Sequence, residues 1–514
     1  MYLRQLDIAG FRGIKRLSIH LRPNMVLIGE NTWGKSSLLA ALSLILNGKG
    51  NLYQFVQRDF HIGDDSNGIT LLFTFSESKP TETHSHLTGS ERIFVPHEDG
   101  FERIYLRVSG EVNEHNQICT EYSFLNEQGN PLVLDNTAEL VGDLIYHHPV
   151  YRFRDARINP HKVRSFPFKY DADADQITRE IYAVMELVKY YFIEDKSLML
   201  EPALLWNYAQ SLCLRLESKE EPDLIKRLTQ SIATLFESPV KSVDKSVRPI
   251  LLLEDLETRL HPRMVAIIWK LSTYLPIQRI TTTNSAELIS QADLRCLCRL
   301  VRYPDVIKAY QLARHDLGKE DLRRLTFHVH YNRSLALFSR TWLLVEGETE
   351  VWLLSELAEL LGIHLDMEGI RIVEFAQAGL RPLIKYARTM GIEWYVLTDG
   401  DEAGRKYTDT VRLMLENGRD NLSNRVTTLP KQDIEHFLYT EGFRDVFVRL
   451  ARWDTENHVF PANKIIQRAI QRSSKPDLAI AIANEVERRG KESIPLLFKR
   501  MFSKVLNLTR SQEG

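Results

Sequence analysis

The sequence predicts an α/β protein with two domains in a chain of 514 residues. A buried-looking strand, a glycine-rich loop and a helix follow one another between residues 24 and 46, and strands alternate with helices again from Trp342 onward. The first domain is expected to span residues 1–335, with a helical lobe inserted at about 171–236, and the second residues 336–514. Hydrophobic residues make up 44% of the chain and charged residues 26%, which is typical of folded globular proteins.

Composition excludes several classes of protein. No segment approaches the ~20 apolar residues that cross a bilayer, and the opening MYLRQLDIAGFRG lacks a signal-peptide core. We therefore expect a cytoplasmic protein without membrane contact. A net charge of −2 means that nucleic acid would have to be bound by local basic patches. The absence of C-x-x-C pairs predicts buried free thiols rather than zinc ligands at Cys119, Cys213, Cys296 and Cys298.

The elements of the first domain are predicted in chain order. Residues 1–28 alternate apolar and polar residues in YLRQLDI and KRLSIHL and close on NMVLI, which predicts an antiparallel meander. The apolar runs RPILLLED (248–255) and PIQRITTTNS (276–285) predict two further strands. Between the meander and these strands, VMELVKYYFIEDKSLML and LIKRLTQSIATLF have helical spacing and predict the inserted lobe.

A phosphate-binding loop is predicted at GENTWGKS, residues 29–36, between the strand NMVLI and the helix SSLLAALSLIL. In the pattern G-x-x-x-x-G-K-[ST], backbone N–H groups and the helix N-terminus bind phosphate, the lysine reaches the terminal phosphates and the hydroxyl binds Mg²⁺. Two acids at the end of a later apolar strand would hold the Mg²⁺ and orient water. We expect ATP to be bound by Gly29, Asn31, Gly34, Lys35, Ser36, Ser37, Glu254 and Asp255.

GFRGI, GENTWGKSS and EDLETRLHP resemble the ABC-type ATPases of the RecF, SMC and OLD (overcoming lysogenization defect) group. The resemblance implies an ABC-type ATPase domain, but three features depart from it. Asp255 stands where these ATPases usually carry glutamate, and Asn284 stands where the switch-loop histidine is expected. No glycine for the Ser-Gly signature lies between Gly142 and Gly318. We therefore expect ATP binding with slow hydrolysis.

Three acidic segments of the second domain follow predicted strands, and they are VEGETE, LTDGDEAG and KQDIEHFL. WLLVEG, IRIVEFA and IEWYVLTDGD alternate with helical segments, which predicts a parallel sheet whose strand ends meet in one crevice. Carboxylates gathered there repel one another unless a cation such as Mg²⁺ or Mn²⁺ binds them. Gly347 is expected to let the chain turn sharply off its strand. The alternative is that the acids cap helices. The acids are Glu346 and Glu350, Asp399 and Asp401, and Asp433 and Glu435.

The pattern E-G-x-x-E followed by D-x-D resembles the Toprim domain of topoisomerases, primases and OLD-family nucleases, from about Trp342 to Leu438. An ATPase followed by Toprim is the OLD-family layout, and GIEWYVLTDGDEAG and SSKPDLAI are similar to its YbjD-type branch. The resemblance implies a two-metal site. Glu346, Asp399 and Asp401 would bind the first ion, and Glu350, Asp433 and Glu435 the second. Lys475 would stabilise the scissile phosphate, and Glu402 is a further candidate.

The favoured function is therefore a metal-dependent DNA endonuclease that an ATP-binding domain regulates or assembles. A homodimer is expected from the resemblance alone, and the sequence leaves the identity of any other protein partner open. The alternative is a non-cleaving, ATP-binding DNA-binding or scaffold protein with a structural metal, and RNA or branched DNA is an alternative substrate. Basic residues outnumber acidic ones in segment 461–510. Arg488, Arg489 and Lys491 are candidate DNA contacts there, or members of a solvated helix face.

Overall fold

The computed structural model describes residues 1–47, 52–63, 68–79, 91–155, 157, 169–193, 198–219, 221, 223–235, 248–331, 333–415, 420–452 and 460–511. The chain forms two compact units, residues 1–309 and 310–514. This division falls earlier in the chain than the domain boundary predicted at residues 335/336, so the second unit also contains the helical segment that precedes its sheet.

The first unit is built on a twelve-stranded sheet whose last strand runs across the boundary. Its strands are β1 (Tyr2–Phe11), β2 (Ile14–His20), β3 (Asn24–Ile28), β4 (Gly68–Ser76), β5 (Val95–Pro96), β6 (Glu102–Val112), β7 (Ile118–Leu125), β8 (Val150–Phe153), β9 (Ile250–Glu254), β10 (Gln278–Thr282), β11 (Leu297–Arg302) and β12 (Ile307–Gln311). They are ordered β5-β6-β4-β1-β2-β12-β11-β3-β10-β9-β8, and β7 pairs with β6.

This sheet has an antiparallel part and a parallel part. β1 pairs antiparallel with β2 and β4, and β6 pairs antiparallel with β4 and β7. β3 instead lies between β10 and β11 and pairs parallel with both. The prediction that NMVLI closes an antiparallel meander is therefore wrong. Met25 to Ile28 are all buried, as expected for a strand covered on both faces of a parallel sheet.

Helices cover this sheet and form the predicted lobe. They are α1 (Lys35–Ile45), α2 (Thr137–His147), α3 (Gln176–Val188), α4 (Pro202–Ser218), α5 (Leu224–Leu235), α6 (Pro262–Thr273) and α7 (Ala286–Gln291). The lobe consists of α3 to α5 and lies between β8 and β9 in sequence. Its helices are joined by a buried polar contact, because Glu180 accepts hydrogen bonds from Ser211 Oγ at 2.6 Å and Arg215 Nε at 3.0 Å.

The second unit contains a four-stranded parallel sheet, as predicted. Its strands, β13 (Thr341–Val345), β14 (Ile370–Glu374), β15 (Glu393–Thr398) and β16 (Val426–Thr428), are ordered β14-β13-β15-β16. Its helices are α8 (Lys319–Leu325), α9 (Glu348–Leu360), α10 (Leu380–Thr389), α11 (Glu402–Leu413), α12 (Ile434–Leu438), α13 (Arg444–Ala451), α14 (Ala462–Arg472), α15 (Lys475–Arg489) and α16 (Leu496–Arg510). A hydrophobic core joins β13 and β15 to α9 and the C-terminal helices.

The four cysteines are free, but they are not all buried as predicted. Cys213 and Cys298 are buried and Cys296 is half-buried, whereas Cys119 is exposed. Cys119 lies on β7 at the margin of the large sheet, where a side chain faces solvent. Among the residues described, every helix is too short or too polar to cross a bilayer.

Candidate metal and nucleotide sites

Glu346 and Asp399 are brought to one crevice at the edge of the parallel sheet. Glu346 directly follows β13 and Asp399 directly follows β15. The two strands pair in parallel, so the chain leaves both of them at the same edge. The pKa of Asp399 is raised to about 8, first by burial and then by the nearby carboxylates of Glu350, Glu346, Asp433 and Glu435. The acids predicted from three separate segments thus lie in one electrostatic environment.

Glu346 also carries an unsatisfied polar atom. Its Oε2 is buried and has no hydrogen-bond partner among the described residues. Burial raises the pKa of Glu346, and the carboxylate of Asp401 raises it further. A buried acceptor without a donor is costly in a protein, and a divalent cation would satisfy it. The residues present therefore fit a bound metal ion.

The remaining acids have mixed roles. Asp401 caps α11 by accepting a hydrogen bond from Gly404 N at 2.7 Å, and Asp433 caps α12 by accepting one from His436 N at 2.8 Å. The helix-capping alternative is therefore observed for these two acids, each through one carboxylate oxygen. Glu402 is exposed and forms an ion pair with Lys406 at 2.8 Å.

The crevice is an open acidic site rather than a closed cage. Within the described ranges, no three Asp, Glu, His or Cys side chains are arranged closely enough to form a complete ligand set. Mg²⁺ keeps several of its waters and is commonly bound by one or two carboxylates together with substrate phosphates. An open set of carboxylate oxygens suits Mg²⁺ or Mn²⁺ better than zinc.

Gly347 does not make the predicted sharp turn. Its φ of −142° and ψ of −175° are extended values that any residue adopts. The demand on this position is instead one of space, because an added Cβ would lie 3.3 Å from Glu350 Oε2. Glycine therefore lets the buried carboxylate of Glu350 approach the main chain.

Three threonine hydroxyls join α11 to the sheet beneath the acids. Thr398 Oγ1 lies 3.1 Å from Thr428 Oγ1 and 3.3 Å from Thr408 Oγ1, and the latter two hydroxyls are 2.9 Å apart. Thr398 precedes Asp399 directly, so this triangle helps to position the strand end. The three residues come from separate elements and share no motif, which is why sequence reasoning missed them.

Tyr407 is a second residue that the sequence did not indicate. Its ring packs edge-on against Phe375 with the centroids 4.8 Å apart. Burial raises its pKa, and the carboxylates of Glu346 and Asp401 raise it further. The phenol therefore belongs to the environment of the crevice.

The remaining predicted residues are basic and belong to α15 and the turn after it. Lys475 begins α15 after the cap residue Ser474, and its side chain lies outside the described residues. Arg488 Nε donates to Glu485 at 3.1 Å, and Arg489 donates to Glu485 at 2.6 Å and to Asp445 at 2.6 Å. These contacts hold the pKa of Glu485 at about 2. The two arginines proposed as DNA contacts are thus already paired with acids, whereas Lys491 is exposed.

The phosphate loop has the expected strand, loop and helix context. Gly29 and Gly34 adopt φ values of 142° and 91°, which favour glycine. Lys35 Nζ donates to the carbonyl oxygen of Gly29 and, at 3.0 Å, to Asn284 Oδ1. Burial lowers the pKa of Lys35, and the carboxylates of Asp255, Glu257 and Glu30 act in the opposite direction. The lysine is thus folded back onto its own loop. Ser36 and Asn31 are exposed and Ser37 is half-buried.

The two acids after β9 differ in their partners. Glu254 is buried and accepts hydrogen bonds from Arg152 Nε at 3.0 Å and Nη2 at 2.7 Å, and Arg154 Nε lies 3.4 Å from the same carboxylate. Asp255 accepts a hydrogen bond from Thr282 Oγ1 at 3.0 Å, and burial raises its pKa. Of the two acids after β9, Asp255 is therefore the one whose charge acts on Lys35 of the phosphate loop. Sequence reasoning missed both arginines.

A phosphate loop in one α/β unit, followed by strand-end acids on a second, parallel sheet, defines an ATPase-like protein with a Toprim domain. The family described as "Overcoming lysogenization defect protein-like, TOPRIM domain" matches residues 337–401. A second family, DUF2813, described as a protein of unknown function, matches residues 1–171 and 167–336. The chain belongs to the DUF2813 family.

Individual relatives cover the chain as a whole or in part. "Uncharacterized protein YbjD" of Escherichia coli (strain K12) is 42% identical over 551 residues, which cover 100% of both chains. The C-terminal region of the Xanthomonas campestris pv. campestris OLD protein is 22% identical and covers 34% of this chain and 98% of that chain, with a TM-score of 0.29. The SMC head domain from Thermotoga maritima is 12% identical and covers 61% of this chain and 100% of that chain, with a TM-score of 0.31. The full-length identity to YbjD and the Toprim family match confirm the family predicted from the motifs.

Proposed function

We propose that this protein is a divalent-metal-dependent nuclease that cleaves DNA phosphodiester bonds and binds ATP at its N-terminal unit. The observation that carries the proposal is the meeting of Glu346 and Asp399 at adjacent strand ends. One of these acids has a buried oxygen without a partner, and the other has a pKa raised to about 8. Both features describe a site that a divalent cation would stabilise. The match to the OLD-like Toprim family supports the same chemistry.

The residues divide into two metal-binding groups in this proposal. Divalent ions bound there supply activation of the attacking water and support for the leaving oxygen. Asp399, Glu346 and Asp401 would hold one ion, and Glu350, Asp433 and Glu435 the other. The threonine triangle would hold Asp399 at its strand end. Lys475 would stabilise charge on the scissile phosphate.

The nucleotide site would regulate or assemble the nuclease. Lys35 would exchange its present acceptors, the Gly29 carbonyl and Asn284, for phosphate oxygens. Glu254 is bound to Arg152, and Asn284 lacks the charge of a histidine at that position, so both residues support slow hydrolysis. A homodimer is part of the proposal on the basis of the OLD resemblance.

A non-cleaving, ATP-binding DNA scaffold is the second candidate. The ion pair at Glu254 favours it, as does the lack of a complete ligand set within the described residues. In that protein a metal in the Toprim crevice would stabilise the fold without cutting DNA. The two candidates differ in a single observable, which is strand cleavage.

Plasmid cleavage tests the choice between them. We expect purified protein to nick or linearise supercoiled DNA with Mg²⁺ or Mn²⁺, and EDTA to prevent this. Glu346→Gln and Asp399→Asn should each abolish the cleavage. Glu348→Gln is the matched control, because Glu348 is an exposed acid in the first turn of α9, close in sequence to Glu346, and is not assigned to the metal. Cleavage that survives in both crevice variants would assign the nuclease to another site or to a contaminant.

A further inference from the structure

A basic and aromatic concavity lies on the helical segment that precedes the Toprim sheet. It has a volume of about 600 Å³. We name it the α8 patch and define it by five of its lining residues, which are Lys319, Arg323, Arg324, Phe327 and His328. None of these residues belongs to the metal crevice or to the predicted basic segment at 461–510.

The helix geometry gathers these side chains on one surface. α8 continues directly into a π-helix from Thr326 to Tyr331. Phe327 follows Arg323 by four residues and Arg324 by three, the spacings at which helical side chains are neighbours. Residue Phe327 is 58% exposed, and its ring meets the His328 ring edge-on with the centroids 5.0 Å apart. π-Helical turns are rare and occur frequently at functional sites.

The cations of the patch are available for a ligand. Lys319, Arg323 and Arg324 are exposed, and none of them forms an ion pair with another described residue. Arg488 and Arg489, by contrast, are bound to Glu485 and Asp445. Glu320 also lines the concavity, and it lies with Asp321 in the first turn of α8, where the helix dipole favours negative charge. Arginines in the last turn also suit the dipole, but that role does not call for an exposed aromatic ring.

We propose that the α8 patch binds single-stranded DNA, with backbone phosphates on Arg323 and Arg324 and an unpaired base stacked on Phe327. Basic side chains around an exposed ring are the combination that single-strand-binding proteins use, because every base has a face that can stack. A duplex keeps its bases stacked inside and offers this ring nothing to contact. The proposal rests on the proposed nuclease function and specifies its substrate as DNA with an unpaired segment.

Fluorescence anisotropy with a labelled oligothymidine and a duplex of equal length tests the patch. The measurements use the full chain in EDTA, so that binding is read without cleavage. Phe327→Ala should weaken single-strand binding roughly tenfold and leave duplex binding unchanged, since a stacked base contributes a factor of that order. Replacing both arginines (Arg323→Gln with Arg324→Gln) should lower the slope of log affinity against log salt by about 1.4 for the single strand.

The matched control removes two other exposed arginines of the same unit that lie outside segment 461–510, in Arg444→Gln with Arg452→Gln. Equal losses in the two double variants would reduce the effect to net charge and overturn the proposal. So would equal losses of single-strand and duplex binding in Phe327→Ala, or an acidic peptide such as polyglutamate competing as well as DNA does. A different result would disprove the nuclease proposal. If the protein binds single-stranded DNA through Phe327 but never cuts DNA, the α8 patch is supported and the nuclease function is not.

Discussion

At the scale of single residues, the Toprim crevice depends on positions that have no room for a side chain as much as on its acidic charge. The chain that leaves β15 at Asp399 turns at once into α11. Gly404 lies in the first turn of α11, where its N–H donates to Asp401. A Cβ on Gly404 would lie 1.9 Å from the carbonyl oxygen of Asp399. No side chain fits at that distance.

We predict that Gly404→Ala lowers the thermal midpoint and suppresses metal-dependent cleavage, because the backbone after β15 must move to admit the methyl group. Overpacking of this kind costs about 1–3 kcal/mol. Gly142→Ala is the control: Gly142 lies within α2 with no atom near its would-be Cβ, so alanine should stabilise that helix by about 0.5–1 kcal/mol. Differential scanning fluorimetry and the plasmid assay measure both effects. Equal changes of thermal midpoint and of cleavage in the two variants would show that the close contact at Gly404 does not matter.

His148 predicts how stability depends on pH. It is buried against Phe75 with ring centroids 4.8 Å apart, and burial lowers its pKa to about 3. An unfolded histidine titrates near 6.5. The unfolded state therefore gains a proton below pH 6.5 that the folded state does not gain until about pH 3, so stability falls as the pH is lowered through that window.

From pH 7 to pH 5 this single group should cost about 2 kcal/mol of unfolding free energy. His148→Phe keeps an aromatic ring and removes the titration, so its loss between the two pH values should be smaller by that amount. Urea unfolding of the full chain at both pH values measures the difference. Parallel pH dependence in wild type and variant would show that His148 does not remain neutral in the fold.

At the scale of elements, Arg152 joins three parts of the nucleotide-binding unit. It lies on β8, binds Glu254 at the end of β9 and donates to Ser43 on α1 at 3.2 Å. Arg152 thereby connects α1, the helix after the phosphate loop, to Glu254 at the end of β9. β9 lies two strands away from β3 in the sheet. The position of α1 thus depends on a buried ion pair.

We predict that Arg152→Ala destabilises the first unit by up to about 3–5 kcal/mol, because buried Glu254 would keep only the more exposed Arg154, 3.4 Å away, as a cationic partner. Adding Glu254→Gln should recover much of that loss, since the buried charge is then removed. Arg154→Ala is the milder control, because Arg154 is more exposed and lies 3.4 Å from the carboxylate. A double-mutant cycle from urea unfolding gives the coupling energy. A coupling near zero would mean that the pair contributes no net stability.

At the scale of the whole molecule, each compact unit carries its own candidate ligand site. ATP should stabilise the wild type by linkage, by ≈ 2.7 kcal/mol at a concentration 100 times its Kd, and Lys35→Ala should abolish this shift. Mn²⁺ should still stabilise Lys35→Ala, and that variant should keep metal-dependent cleavage chemistry. Asp399→Ala should show the reverse pattern, with the ATP shift retained and the Mn²⁺ shift lost. Thermal melts with each ligand measure the four combinations. Loss of both shifts in either variant would indicate misfolding instead.

The sequence by itself determined the elements that local patterns encode. The phosphate loop is a contiguous spacing of residues, and the strands and helices from Trp342 to Asp401 repeat with periods that identify them one by one. The grouping of Glu346 with Asp399 also followed, because parallel strands place their carboxyl ends together. Strands β4 to β7 escaped prediction: β4 is completed by β1 from elsewhere in the chain, whereas β5 and β7 pair with β6, their neighbour in sequence.

Only the tertiary structure decided which side chains are already committed to partners. Arg152 and Glu254 are 102 positions apart, and Arg489 is 44 positions from Asp445, so no periodicity or spacing links either pair. β3 lies between two parallel strands, where both faces of the sheet are covered and its apolar side chains are buried. Folding likewise left Arg323, Arg324 and Phe327 exposed while it paired the arginines of α15. A sequence shows which side chains are charged, but whether a charged side chain is neutralised depends on the residues that lie near it in the folded chain.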